Sequence, residues 1–535
     1  MKLRVDLAGV VRSLRAIPPS TLLKWTLSAA LSAASLWVTA HVFLRFNDPF
    51  LFGGVSFDES HFVWGGWCIN KGLVPYRDFL EFKPPFVFLT HALALKLYGY
   101  SQFGYRKLFA YLPLASLLAL QLSMISRGID KLLSLVLVIA IVHLWLNPEL
   151  HDVALSDSES IGLTYFFLAV AFLTVKAPWR NLTDSIGGAF LVACILSKEP
   201  FLPCAGLTWI SCFLIGERTS SLRADGRRYV KWTFLGAAIV VAALCIYMVP
   251  TGAMREYIKM MRGYFHFYRD PMQSYCVVLG RFHPTTPLND LVLQYEQARR
   301  EFVNSTTLGY LVPFGVAALA FTARRSALLI ALTIAGCFFA LYAVTASNCQ
   351  WMHYYNMTMS GLFFFLIVGL DSMTPHFWTV TPTMRTFLRF ALAGVIAVQV
   401  WPRLEAEDDL YGTRNHPSEY PEPFPGVLES IQKYTLPSDR IFTSGAPSLY
   451  VEANRISAIR ESAIVDETLG YYEGNTDEER LSGLRAQLER NMPKLVFTDP
   501  DMALRKVRTN RALITPFLNE HHYTQIKGNI WLRPD

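Results

Sequence analysis

Residues 56–85 read SFDESHFVWGGWCINKGLVPYRDFLEFKPP, and this stretch decides what kind of chain it belongs to. Two adjacent acids, Asp58 and Glu59, are followed by aromatics, then Tyr76-Arg77-Asp78-Phe79, then Glu81, Lys83 and two prolines. It comes directly after an apolar run at about 22–43, where a simple membrane protein needs only a short turn. Charges held against a bilayer cost free energy, so a segment this dense in them marks a functional site. A solvated loop with interfacial aromatics is the competing account.

Composition places the chain in membranes. Of 535 residues, 52% are hydrophobic, 14% aromatic and only 17% charged, whereas soluble domains carry about a quarter charged residues. The net charge of +7 is not gathered into a nucleic-acid-binding face, so no nucleic-acid partner is expected. It lies in loops between apolar runs, as a topology signal does. The eight cysteines have no metal-ligand spacing, and five of them (Cys194, Cys204, Cys212, Cys245 and Cys337) fall in apolar runs as packing residues. The basic start MKLRVDLAGVVRSLR precedes an apolar run longer than a signal-peptide core, which reads as an uncleaved anchor.

Working outward, apolar stretches near spanning length occur at roughly 22–43, 108–126, 132–147, 160–175, 185–198, 200–216, 232–250, 308–323, 326–346, 354–370 and 386–401. A further run, Pro85–Tyr98, reaches only about 21 Å as a helix against about 30 Å of hydrocarbon. If it lies along the interface, every basic cluster falls on the side of the basic N-terminus: Arg127/Lys131, Lys176/Arg180, Arg218–Lys231, Arg324/Arg325 and Arg385. If it crosses, those clusters move to the opposite side. The positive-inside rule selects the first arrangement. The expectation is a polytopic α-helical membrane protein with about eleven spans, interfacial helices and a cytoplasmic N-terminus. Loops 44–107, 148–159, 251–307 and 347–353, with the turn at Lys198, then share the outer face.

After Trp401 the composition turns polar. Residues 1–401 form the membrane module, 402–425 a charged, proline-rich linker, and 426–535 a small extracytoplasmic α/β domain. Its first strand is expected at Ile441–Ser444, and a turn at Lys527-Gly528-Asn529 is expected to close a final hairpin.

The outer loops carry the chemistry. Asp58 and Glu59 suit proton abstraction from a hydroxyl, or a divalent cation, or simply the first turn of a helix. Lys83 precedes Pro84-Pro85, where a helix N-terminus with free amides would make a compact anion site; a snorkelling lysine is the alternative. Asp157 and Glu159 sit in HDVALSDSES, positions 151–160, where Asp157 or Ser158 could equally cap a helix. Lys198-Glu199 forms a tight turn, as an internal salt bridge or a phosphate contact. In the loop 251–307, Arg262, Tyr264, His266 and Arg269 suit phosphate and sugar, or a basic amphipathic helix on lipid headgroups. His353 opens a late span as a sensor, ligand or hydrogen-bonded residue.

Phe57-Asp58-Glu59, Gly72-Leu73-Val74-Pro75-Tyr76-Arg77-Asp78-Phe79, Lys83-Pro84-Pro85, Tyr98-Gly99 and Arg106 together resemble the GT-C superfamily of membrane glycosyltransferases. The nearest branch is similar to protein mannosyltransferases and lipid A aminoarabinose transferases. The resemblance implies sugar transfer from a polyprenyl-phosphate donor to a glycolipid, polysaccharide or protein acceptor at the outer leaflet of the cytoplasmic membrane. It implies Asp58 as general base and Lys83 on the donor phosphate. Asp157 or Glu159 would assist, with Glu59 beside them, and Lys198, Arg262 or Arg269 would neutralise charge. Tyr76, Arg77, Glu81, Tyr264, His266 and His353 would line the substrates. No cofactor is required; magnesium or manganese is an option, with Asp58 and Glu159 as ligands. No glycine-rich nucleotide loop occurs in the chain. A lipid or polysaccharide transporter would instead put charges in mid-span, and an O-antigen-type polymerase or ligase would put its essential arginines and histidines in later loops.

Overall fold

The structure, a computed structural model, describes residues 18–52, 57–100, 104–145, 155–216, 222–269, 426–461, 476–498 and 509–534, with positions 383 and 424. Among the described residues, three helices are long and apolar enough to cross a membrane. They are α1 (Pro19–Phe52), α4 (Arg106–Ser126) and α9 (Leu222–Met248). The shorter α5 (Lys131–Trp145), α6 (Ser158–Thr174), α7 (Arg180–Ile195) and α8 (Phe201–Gly216) fall on the next apolar stretches. The expected spans at 308–323, 326–346, 354–370 and 386–401 lie outside the described residues.

Apolar side chains face outward as well as inward, as a lipid solvent allows. Leu23, Trp37, Phe234, Ile239 and Ile246 point outward, while small polar side chains bond helix to helix inside. Thr39 donates to Gln121 Oε1 at 2.9 Å, and Gln121 Nε2 donates to Ser35 at 2.6 Å, joining α1 to α4. Two glycines let α7 and α9 touch backbone to backbone. A Cβ on Gly188 would stand 2.1 Å from the Thr233 carbonyl oxygen, and one on Gly236 would stand 1.8 Å from that of Ser185.

Between α1 and α4 lie α2 (Phe57–Asn70) and α3 (Pro85–Tyr98). Each has 14 residues, too few for about 30 Å of hydrocarbon. They pack through Gly66, where a Cβ would lie 2.6 Å from the Ala92 amide nitrogen. α10 (Ala253–Arg269) follows α9 and is strongly amphipathic, with Lys259 and Arg262 exposed.

The C-terminal part contains α11 (Val427–Tyr434), β1 (Arg440–Thr443), α12 (Ser448–Glu452), β2 (Ile456–Ser457), α13 (Asp477–Asn491) and β3 (Leu495–Phe497). A π-helical turn Asn510–Ile514 then runs into α14 (Thr515–Glu520), before β4 (Thr524–Lys527) and β5 (Ile530–Leu532). The strands form one sheet in the order β2-β1-β3-β5-β4. β1 is parallel to β2 and β3, whereas β3-β5-β4 is antiparallel. The first strand starts one residue earlier than expected, at Arg440, and Ser444 still donates to the Phe497 carbonyl. Gly528, at φ +48°, turns the last hairpin.

This sheet region sits against the helices that carry the acidic stretch. Trp64 on α2 packs on Tyr450 of α12 with ring centroids 6.0 Å apart, and Tyr100 donates to Glu452 at 3.3 Å.

Candidate active site

α2 opens with both acids in its first turn. Successive residues on a helix point about 100° apart, and the two acids part company accordingly. Asp58 is exposed, while Glu59 is fully buried. Both Glu59 oxygens are engaged: Arg106 Nε reaches Oε1 at 2.7 Å, Arg106 Nη2 reaches Oε2 at 2.6 Å, and the Tyr105 hydroxyl donates to Oε1 at 2.7 Å. Burial alone would raise this carboxyl. The Arg106 charge, with hydrogen bonds from Arg106, Tyr105 and Ser156, outweighs it and holds Glu59 below the ordinary carboxylate value. Glu59 is therefore a buried, charged anchor, and the acid left facing outward is Asp58.

The expected anion site at the start of α3 takes a different form. Pro84 and Pro85 have no amide hydrogen, Phe86 N–H donates to the Leu196 carbonyl at 3.1 Å, and Val87 N–H turns back to Pro84 at 3.3 Å. The Phe86 and Val87 amides already have acceptors, so the cationic group of the expected site is the Lys83 side chain. Its carbonyl accepts from the Tyr76 hydroxyl at 2.8 Å. Tyr76 is buried, sits at φ 65° and packs on Tyr257 of α10 with centroids 4.9 Å apart. Arg77 lies outside, forked onto Asp78 at 2.8 and 2.7 Å and donating to the Thr251 carbonyl at 3.0 Å. Glu81 is buried, 3.0 Å from His61 Nδ1, and accepts from the Phe82 amide at 2.9 Å. Tyr76 and Glu81 thus brace the turn from within.

In the second acidic loop, Asp157 and Glu159 have different surroundings. Glu159 is buried, with Lys198 Nζ 2.5 Å from Oε1 and the Ser158 hydroxyl donating to Oε2 at 2.6 Å. Asp157 occupies the cap position of α6 yet makes no side-chain cap bond. It is 1% exposed, and neither carboxylate oxygen has a hydrogen-bond partner among the described residues. Burial, then the charges of Asp58, Glu159 and Glu59, push it well above the ordinary carboxylate value, with Lys83 opposing. Acids from both loops and Lys83 therefore act on this one side chain. Glu199 is raised by burial and by Glu159, against Lys198 and Lys83.

Such an acid has a signature in stability. Folding favours its protonated form, so its contribution is complete at low pH and is lost as pH rises through the raised folded value. Asp157→Asn removes that loss. The variant is expected to melt at or above the wild-type temperature near neutrality, with a gap that widens toward alkaline pH in detergent melting curves. A variant that melts lower at high pH would show the carboxylate to be paired.

For a divalent ion, Glu159 is taken by Lys198 and Glu59 by Arg106, which leaves Asp58 and Asp157 as oxygen donors. No cluster of three or more metal-ligating side chains occurs among the described residues. Arg262 is exposed on α10; Tyr264, His266 and Arg269 share that helix, but their side chains, and His353 altogether, lie outside the described residues. Tyr105, Ser156 and Tyr257 are participants that the sequence reading did not single out, although Ser156 lies within the second acidic loop. Tyr105 is likewise adjacent to Arg106.

No family model and no curated protein sequence matches the chain. Solved structures do. The oligosaccharyltransferase of Archaeoglobus fulgidus, in complex with Zn and sulfate, superposes over 91% of this chain and 71% of its own, with TM-score 0.50 and 14% identity. ArnT from Cupriavidus metallidurans, in the apo state, gives 0.48 at 14% identity over 91% and 95%. The archaeal oligosaccharyltransferase AglB from Archaeoglobus fulgidus, with an inhibitory peptide and a dolichol-phosphate, gives 0.46 at 12% over 88% and 69%. At such identities a likeness speaks for the fold alone, and this chain shares the fold of the archaeal oligosaccharyltransferase.

Proposed function

We propose that the chain is an integral-membrane glycosyltransferase that moves a sugar from a polyprenyl-phosphate donor to an acceptor at the outer face of the cytoplasmic membrane. The observation that carries this reading is the pair of acidic helix starts in one fold: Asp58 exposed at the head of α2, and Asp157 buried at the head of α6 with no hydrogen-bond partner among the described residues. In this reading the N-terminus is cytoplasmic, about eleven spans form residues 1–401, and residues 426–535 are extracytoplasmic beyond a linker at 402–425. The transferred group is a hexose or pentose, and the acceptor a glycolipid, a polysaccharide or a protein.

Charge dictates the division of labour. Departure of the donor phosphate develops negative charge, which Lys83 stabilises. Asp58, at the exposed start of α2, takes the proton from the acceptor hydroxyl or amine as it attacks the anomeric carbon with inversion. Glu59, fixed by Arg106, holds that end of α2 in place. A divalent ion, magnesium or manganese, would be held by Asp58 and Asp157 and would supply charge neutralisation there.

The direct test is binding. Lys83→Met is expected to weaken the affinity of the detergent-solubilised protein for a C55 polyprenyl monophosphate by about tenfold or more, as loss of a charge-assisted contact does. Its affinity for the uncharged polyprenol should stay the same. Equal phosphate affinity in both proteins would remove Lys83 from the site.

A further inference from the structure

The turn that carries Lys83 is held from outside. Within it, Asp78 accepts the Val74 amide at 2.8 Å, its own amide donates to the Val74 carbonyl at 2.9 Å, and Pro75 bridges to Phe79. Tyr76 adopts a left-handed backbone, uncommon for a bulky residue, which persists only where surroundings impose it. A further hold on the turn comes from a segment distant in the chain. Leu80 N–H donates to the Arg460 carbonyl at 2.7 Å, and Leu80 pairs with Glu461 in a parallel bridge. The Arg77 hydrogen bonds, and further off the Arg460 charge, hold the Asp78 carboxyl low.

The Arg460–Glu461 segment is strapped in turn by α13. Gln487 accepts the Arg460 amide on Oε1 at 2.9 Å, and its Nε2 donates to both Glu461 oxygens at 3.3 and 3.2 Å. Glu461 is 4% exposed. A line of hydrogen bonds therefore runs from α13 through Arg460–Glu461 to Leu80, three residues before Lys83.

We propose that Gln487 and the Arg460–Glu461 segment are positioning elements of the donor-phosphate site: they clasp the turn 74–83 and set where the Lys83 ammonium stands. The inference rests on the reading of Lys83 given above. None of the three residues touches the reacting groups; they act through Leu80 and the backbone that follows it. A side chain on a four-carbon stem needs such a fixed base if its charge is to meet a phosphate at one place.

The test compares binding of a C55 polyprenyl monophosphate and of the neutral polyprenol by full-length protein in detergent micelles, with melting temperature recorded alongside. Gln487→Met is expected to weaken phosphate binding by about three- to tenfold with polyprenol binding unchanged, and to add nothing further in a Lys83→Met background, because both act on one interaction. Gln487→Glu keeps an acceptor for the Arg460 amide but repels Glu461, so a loss between wild type and Gln487→Met is expected. It also serves as the readout if Gln487→Met does not fold. Lower melting with unchanged phosphate affinity overturns the inference, as does a Gln487→Met effect that persists in full on top of Lys83→Met. If Lys83→Met itself leaves phosphate binding unchanged, the donor-site reading falls, an outcome distinct from failure of the clasp alone.

Discussion

Asp58→Asn is expected to lower sugar transfer by about 10²- to 10⁴-fold, the range lost with a positioned general base. Protein level, melting temperature and polyprenyl-phosphate affinity should be little changed. The substitution keeps the size of an exposed side chain, so no packing is lost. Mass spectrometry of surface glycans from cells carrying only the variant would report the loss, and binding to purified protein would report the preserved affinity. A variant with transfer intact would move the proton acceptor elsewhere, and Asp157 would be the next residue to test. The effect should be on turnover rather than on donor KM, because the proposed mechanism gives Asp58 the acceptor proton and Lys83 the phosphate.

Arg106→Met should be the most damaging single change to stability. The Arg106–Glu59 pair is almost wholly buried, with side chains 1% and 0% exposed. Removing one member of such a pair strands the other charge out of water and costs about 3–5 kcal/mol. Combining Arg106→Met with Glu59→Gln takes away the stranded charge, so the double variant is expected to melt above Arg106→Met alone. Thermal unfolding in detergent distinguishes the cases. Equal melting of single and double variants would show that Glu59 finds another counter-charge. Activity should fall in both, since Asp58 sits one residue from the anchor.

The two predictions rest on adjacent acids that the sequence does not tell apart. Asp58 and Glu59 read alike in a string of letters, and only the buried guanidinium at the start of α4 assigns one to structure and the other to the exposed face. The same holds for Asp157 and Glu159, which differ because Lys198 pairs with Glu159. Local signals were legible: apolar runs that became α1 and α4–α9, the short Pro85–Tyr98 helix, the turn at Gly528. Contacts between distant residues were not. The Phe86 amide looks free for an anion until Leu196, more than a hundred positions away, accepts its hydrogen bond. The parallel pairing of β1 with β2 and β3 likewise depends on connections that alternation of residue types does not encode.

Residue 80 meeting residue 460 also governs when this protein becomes complete. During synthesis the first loop emerges early, while its partner segment, Arg460–Glu461, is made far later. Long-range contacts of this kind are the last to form. A half-inserted nascent chain therefore holds its acids and its lysine in an unfinished arrangement. In the proposed reading the base of Lys83 is fixed only once Arg460–Glu461 has been made, so a product stalled before that segment would carry an unclasped turn.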